Sequence, residues 1–175
     1  MKHPRLWPVL LALVVLLTGC NPRSPAKAET PRATGFSCAA SGTYRGEAVA
    51  GTIDRSAAGL LTVTLSEPSS LAGLTMTWNG ENVKLRMLGI EWSISPDAIP
   101  QAALGVRILQ SLDAVVHGEG EGERTADGRL RTTGTAGDAA FTLYSDPETG
   151  ALLSLEVPSE ELTLTFSDFQ STTDG

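Results

Sequence analysis

Leu74-Thr75-Met76-Thr77-Trp78-Asn79-Gly80-Glu81-Asn82-Val83-Lys84-Leu85-Arg86-Met87 alternates apolar with polar side chains on both sides of an Asn-Gly pair. A period of two is that of a strand with one dry and one wet face. The Asn79-Gly80 dipeptide supplies the two positive φ angles that a type I′ hairpin turn requires. With Trp78 opposite Glu81, Met76 meets Val83 and Leu74 meets Leu85. Both apolar sets then share one face, as a stable hairpin demands.

The same alternation recurs on either side. Leu61, Val63 and Leu65 interleave with Thr62, Thr64 and Ser66, and Leu162, Leu164 and Phe166 interleave with Thr163, Thr165 and Ser167. Beyond Met87 the apolar parity flips to Leu88, Ile90, Trp92 and Ile94, with Gly89 at the change. A β-bulge at Gly89 would return both runs to one face, and a break into two strands would serve equally. Asp146-Pro147-Glu148-Thr149-Gly150 reads as a turn joining Ala140–Tyr144 to Leu152–Val157. A three-residue loop pairs Leu143 with Leu153, and a four-residue loop pairs Tyr144 with Leu153. One segment has helical period. In Gln101 to His117, the residues Leu104, Ile108, Leu112, Val115 and Val116 form a stripe, with Arg107, Gln110, Ser111 and Asp113 elsewhere. Pro96 and Pro100 precede this segment and Gly118 stops it. Gly118-Glu119-Gly120-Glu121-Gly122-Glu123 has nothing to bury and reads as a loop. The pattern specifies a mainly β (α+β) domain: a curved antiparallel sheet or half-barrel covered by one principal helix.

Residues 1–19 have the layout of an export signal. Lys2 and Arg5 precede the apolar run Leu10–Leu17, and Leu17-Thr18-Gly19-Cys20 follows. The run falls short of the ~20 residues that cross a bilayer. It resembles the lipobox of bacterial lipoproteins, a likeness implying cleavage before Cys20 and lipidation of its thiol. Two or three acyl chains, at ~0.8 kcal/mol per buried methylene, would hold the protein stably on a membrane without a span. Residues 20–35 carry three prolines and no large apolar residue, so they read as a lipidated, disordered tether with an end-to-end distance of ~20 Å. Residues 36–170 form the β domain, and 171–175 a flexible C-terminus.

The charge balance restricts the chemistry. Without Lys2 and Arg5 the chain has eleven basic against twenty acidic residues, about −9, which disfavours nucleic acid and anionic lipid surfaces. Cys38 has no cysteine partner once Cys20 carries lipid, and it reads as a small buried hydrophobe. A nucleophilic triad needs a histidine, and the mature chain offers only His117, read here as a solvated helix cap. Zinc ligands are too few, the acidic loop lacks calcium-loop spacing, and no phosphate-cradling loop occurs. Neither an enzyme nor a cofactor or metal site is expected.

The lipobox, the tether, the one-sided strands, the interrupting helix, the Asp-Pro-Glu-Thr-Gly hairpin and the run Thr163–Phe169 together resemble small lipoproteins of the LolA/LolB-like class. That resemblance implies a half-barrel over residues 36–170 that holds acyl chains in an apolar hollow. Met76, Trp78, Leu85, Met87, Trp92, Phe141, Leu153, Leu155 and Phe166, with Leu74, would line it. A usable hollow is on the order of 300 Å³. The expected function is a membrane-anchored, non-enzymatic binding module for a lipid or other apolar envelope ligand. It would sit on the outer face of the cytoplasmic membrane, or in the periplasm of a two-membrane host. The alternative is a surface assembly protein that meets an envelope protein partner through an acidic, threonine-rich face and has no cavity.

Overall fold

The computed structural model describes residues 35–79, 81–95, 104–116 and 120–172. They form one eleven-stranded antiparallel sheet and one helix, a mostly β architecture. The strands are β1 (Gly35–Tyr44), β2 (Glu47–Arg55), β3 (Leu61–Glu67), β4 (Thr75–Trp78), β5 (Val83–Met87), β6 (Ile90–Ile94), β7 (Glu121–Arg124), β8 (Leu130–Ala136), β9 (Ala139–Ser145), β10 (Leu152–Val157) and β11 (Leu162–Thr172); helix α1 is Leu104–Val116. The order across the sheet is β6-β5-β4-β3-β2-β1-β11-β10-β9-β8-β7. Two meanders are thus joined where β1 meets β11, and the helix enters the chain between the two open edges.

Helix α1 touches both β3 and β8. These strands lie six steps apart, about 29 Å on a flat sheet, whereas a helix with its side chains is about 11 Å wide. The sheet must therefore curl around the helix. Its concave face carries Ile53, Leu61, Val63, Leu65, Met76, Val83, Leu143, Leu155, Leu162 and Leu164, all buried. The convex face carries a block of threonines on β3 and β4, with Thr62 facing Thr77 at 3.2 Å and Thr64 facing Thr75 at 3.4 Å. At Gly51 the strands approach closely: a Cβ there would lie 2.2 Å from the Thr64 carbonyl, and the β2–β3 register shifts beside it.

Several local expectations shift. Met76 pairs with Leu85 and Trp78 with Val83, two residues from the expected register. The loop spans four residues because the Asn79 carboxamide oxygen accepts the backbone N–H groups of Glu81 at 3.0 Å and Asn82 at 2.7 Å. A slip of two keeps every side chain on its face, so Met76 and Val83 still share the dry side. Gly80 lies outside the described residues, and Leu74 falls just before β4. Of the two readings at Gly89, the break into two strands holds. Met87 pairs with Ile90, and Leu88 and Gly89 have φ of 51° and 81°. The positive-φ pair therefore sits here, one turn later than expected.

The glycine-acid run is not wholly a loop. Glu121–Arg124 pairs with β8, with Gly122 buried on the concave side opposite Thr132 and Glu121 and Glu123 exposed. Alternation of glycine with charge is itself a period of two. At Asp146–Ala151 neither expected register occurs: Ser145 pairs with Leu152 and Leu143 with Leu155, across a bulge that leaves Leu153 unpaired. The Asp146 carboxylate accepts the N–H groups of Glu148 and Thr149, which widens the loop. Residues 1–34, with Cys20 and the tether, and residues 96–103 and 117–119, with His117, lie outside the described residues.

Candidate functional site

The predicted lining residues fall into two walls. One is a row running across three strands, Met76–Leu85–Trp92, beside a second row, Trp78–Val83–Ile94, and the pair Met87–Ile90. The other wall holds Phe141, Leu155 and Phe166 on β9, β10 and β11, all buried. Met76, Trp78, Phe141, Leu155 and Phe166 nevertheless belong to one buried core cluster, with Leu85 packed against it, whereas Met87 and Trp92 lie outside it. Leu153 joins neither wall, because the bulge sends Leu152 inward in its place.

The helix is not the one-sided cover that its stripe suggested. Arg107 and Ser111, expected on a wet face, are 2% and 1% exposed. It lies so close to the sheet that a Cβ on Gly105 would meet the Met76 thioether at 2.0 Å. Where the helix meets β1–β3 and β11, one space of about 10 Å³ is lined by residues such as Ala40, Val49, Gly51, Leu65, Ile108 and Leu164. That is room for about one water-sized sphere, far below an acyl-chain pocket. None of Met76, Trp78, Met87, Trp92 or Phe166 lines it.

What remains open is the far end of the first wall. Burial falls along the row from Met76, 4% exposed, through half-buried Leu85 to Trp92, 40% exposed; Met87 is half-buried and Ile90 is 66% exposed. The apolar concave face thus continues out of the core onto an open shelf formed by β5 and β6. Trp78, at the buried end, has an indole N–H with no hydrogen-bond partner among the described residues.

A second cluster went unread in the sequence. The Arg107 guanidinium donates through Nη1 to the Ala136 carbonyl at 2.7 Å, and through Nη2 to Asp138 at 2.7 Å and Glu160 at 3.1 Å. Arg45 donates to the other Glu160 oxygen at 2.9 Å. Three turns bring these groups together. Arg45-Gly46 closes β1–β2 with φ of 50° and 80°, and Gly137, at φ 65°, opens the two-residue turn that carries Asp138. The third is the 3-10 turn Pro158–Glu160 between β10 and β11. The hydrogen bond from Arg107 holds the Asp138 carboxyl below the usual carboxylate range. Both carboxylate oxygens of Glu160 are engaged by cations, so the cluster fastens the helix to the end of the sheet.

Cys38 is 2% exposed, and burial, with a smaller contribution from Asp54, pushes its thiol up to about 12. It remains a protonated hydrophobe at neutral pH. Among the described residues no group of three or more His, Cys, Asp or Glu side chains is placed to hold a metal ion.

Neither a protein-family model nor a curated protein matches the sequence. Solved structures do resemble the fold. An uncharacterized conserved protein from Thermus thermophilus superposes with a TM-score of 0.53 at 16% identity, over 85% of each chain. This likeness is one of fold. The LolA superfamily protein NE2245 from Nitrosomonas europaea gives 0.41 at 11% identity, over 82% of this chain and 89% of that one. A chain from the structure of the CwlD amidase from Clostridioides difficile in complex with the GerS lipoprotein gives 0.45 at 13%, over 97% and 98%.

Proposed function

We propose that the protein is a lipoprotein of the cell envelope, held on a membrane through Cys20, whose β domain is a non-enzymatic binding module for a lipid or another apolar ligand. The supporting observation is the open shelf. An apolar row that begins in the core at Met76 ends in solvent at Trp92 and Ile90. Soluble domains rarely leave such surface bare without a use for it. The ligand lies against Leu85, Met87, Ile90 and Trp92, outside the helix. The space of about 10 Å³ between the helix and β1–β3 is too small for an acyl chain.

Titrating the full chain with a fatty acid or a dispersed phospholipid, with tryptophan fluorescence as the readout, tests this. Trp92 on the shelf and Trp78 behind it should report binding by a blue shift, and Met87→Arg should abolish the response while leaving the thermal midpoint within a few degrees. A flat response across a lipid panel would reject the reading. The second reading, a protein-partner module without a ligand, draws on the space of about 10 Å³ beneath the helix. It gains if the shelf ignores lipids.

A further inference from the structure

Among the described residues the sheet ends in two edge strands, β6 and β7, and the sequence treats them differently. At one edge β7 is four residues long, carries Glu121, Glu123 and Arg124, and is tied by Glu123 to Arg131 at 3.1 Å. Short length and charge are the usual means of stopping a strand from pairing with a stranger. At the other edge β6 is one residue longer and less charged: Ile90-Glu91-Trp92-Ser93-Ile94 contains no proline, no lysine and no bulge, and its first four residues are exposed. Its one charge, Glu91, lies on the convex side and is already paired with Lys84 at 3.0 Å.

The strand also reads alike in both directions: apolar, polar, apolar, polar, apolar, with Trp92 at the centre. Turned by 180° about Trp92 and set antiparallel to itself, it places Ile90 against Ile94, Trp92 against Trp92 and Glu91 against Ser93. Every apolar side chain then meets an apolar one on the concave face, and no like charges stand opposite. Such self-complementarity is what an isologous twofold interface requires. We infer that β6 is a homodimerisation edge, where two copies of this chain join their sheets in antiparallel register about Trp92. A five-residue strand buries less than the ~1,200 Å² of a standard interface, so the pairing is weak in dilute solution and is favoured where copies are concentrated.

Cysteine pairing in the full chain tests the register. Opposed residues in this arrangement have Cα atoms ~5 Å apart, within disulfide reach, while residue 93 lies ~8 Å from its own copy, beyond it. Copies bearing Glu91→Cys and copies bearing Ser93→Cys, with different tags, are co-expressed and oxidised, and the unsubstituted chain gives the background. The mixed dimer should form about tenfold more than either variant's self-dimer. Equal yields in all three arms, or no product above background with thermal midpoints unchanged, would overturn the proposal. So would a product that needs Ser93→Cys together with Glu123→Cys, since that joins β6 to β7. Ile90→Lys, which adds an edge charge without touching the core, should suppress the mixed product. An unchanged yield would count against the pairing.

Discussion

Leu88 is 90% exposed with φ of 51°, at a turn position where asparagine or glycine is the ordinary choice. The left-handed region costs a branched aliphatic residue about 1 kcal/mol. Leu88→Asn should therefore raise the thermal midpoint by about 2–4 °C, and a fall would mean that this turn is not the one described. The sequence misdirects here: Asn79-Gly80 carries the strongest turn signal, but its asparagine side chain caps a wider loop, and Leu88-Gly89 forms the tight one. Side-chain capping of a loop depends on where the flanking strands come to rest, which a dipeptide does not encode. Asp138 gives a pH-dependent test. Its folded carboxyl is held below the ordinary value of 3.8, so it binds protons less readily than in the unfolded chain. The stability it contributes is present in full above the ordinary carboxylate range and is lost as pH falls through the folded value. Thermal midpoints of the wild type and Asp138→Asn should differ at pH 6 and converge near pH 2. A gap that persists at pH 2 would assign the effect to something other than the carboxylate.

Helix α1 shows what local pattern leaves out. Its apolar stripe was legible, and residues 104–116 lie within the expected span. Its immersion was not, because burying Arg107 requires Glu160, 53 residues away, together with Asp138 and Ala136. No periodicity announces partners so remote. Likewise, β7 hides in a glycine-acid alternation because glycine carries no hydropathy signal. A buried cation that loses its partners is costly, whereas replacing the whole set by apolar groups is not. Glu160→Ala, which removes the buried carboxylate partner of Arg107, should destabilise by about 3 kcal/mol in urea unfolding, and Arg107→Met with Glu160→Leu should recover most of the loss. If the double variant is no better than the single, the cluster acts through something other than charge pairing.

Across the whole molecule, the strand pattern foretold a one-sided antiparallel sheet, and the helix between its halves foretold what the sheet would cover. The extent of closure was not foretold. Whether a curled sheet holds a hollow or a helix depends on close approaches such as Gly105 on Met76 and Gly51 on Thr64. In sequence a lined cavity and a packed core consist of the same residues. Among the described residues the helix packs directly on the sheet, and an apolar shelf lies at one rim, set by Met87, Ile90 and Trp92. Native mass spectrometry of the protein gently extracted from its own membranes measures directly whether that shelf is a binding site. The expected spectrum shows a chain beginning at Cys20 with acyl groups that survive collisional activation, plus a second lipid-sized mass that activation removes and that Met87→Arg lacks. A wild-type chain that carries its covalent lipid and nothing else would contradict the ligand-binding proposal.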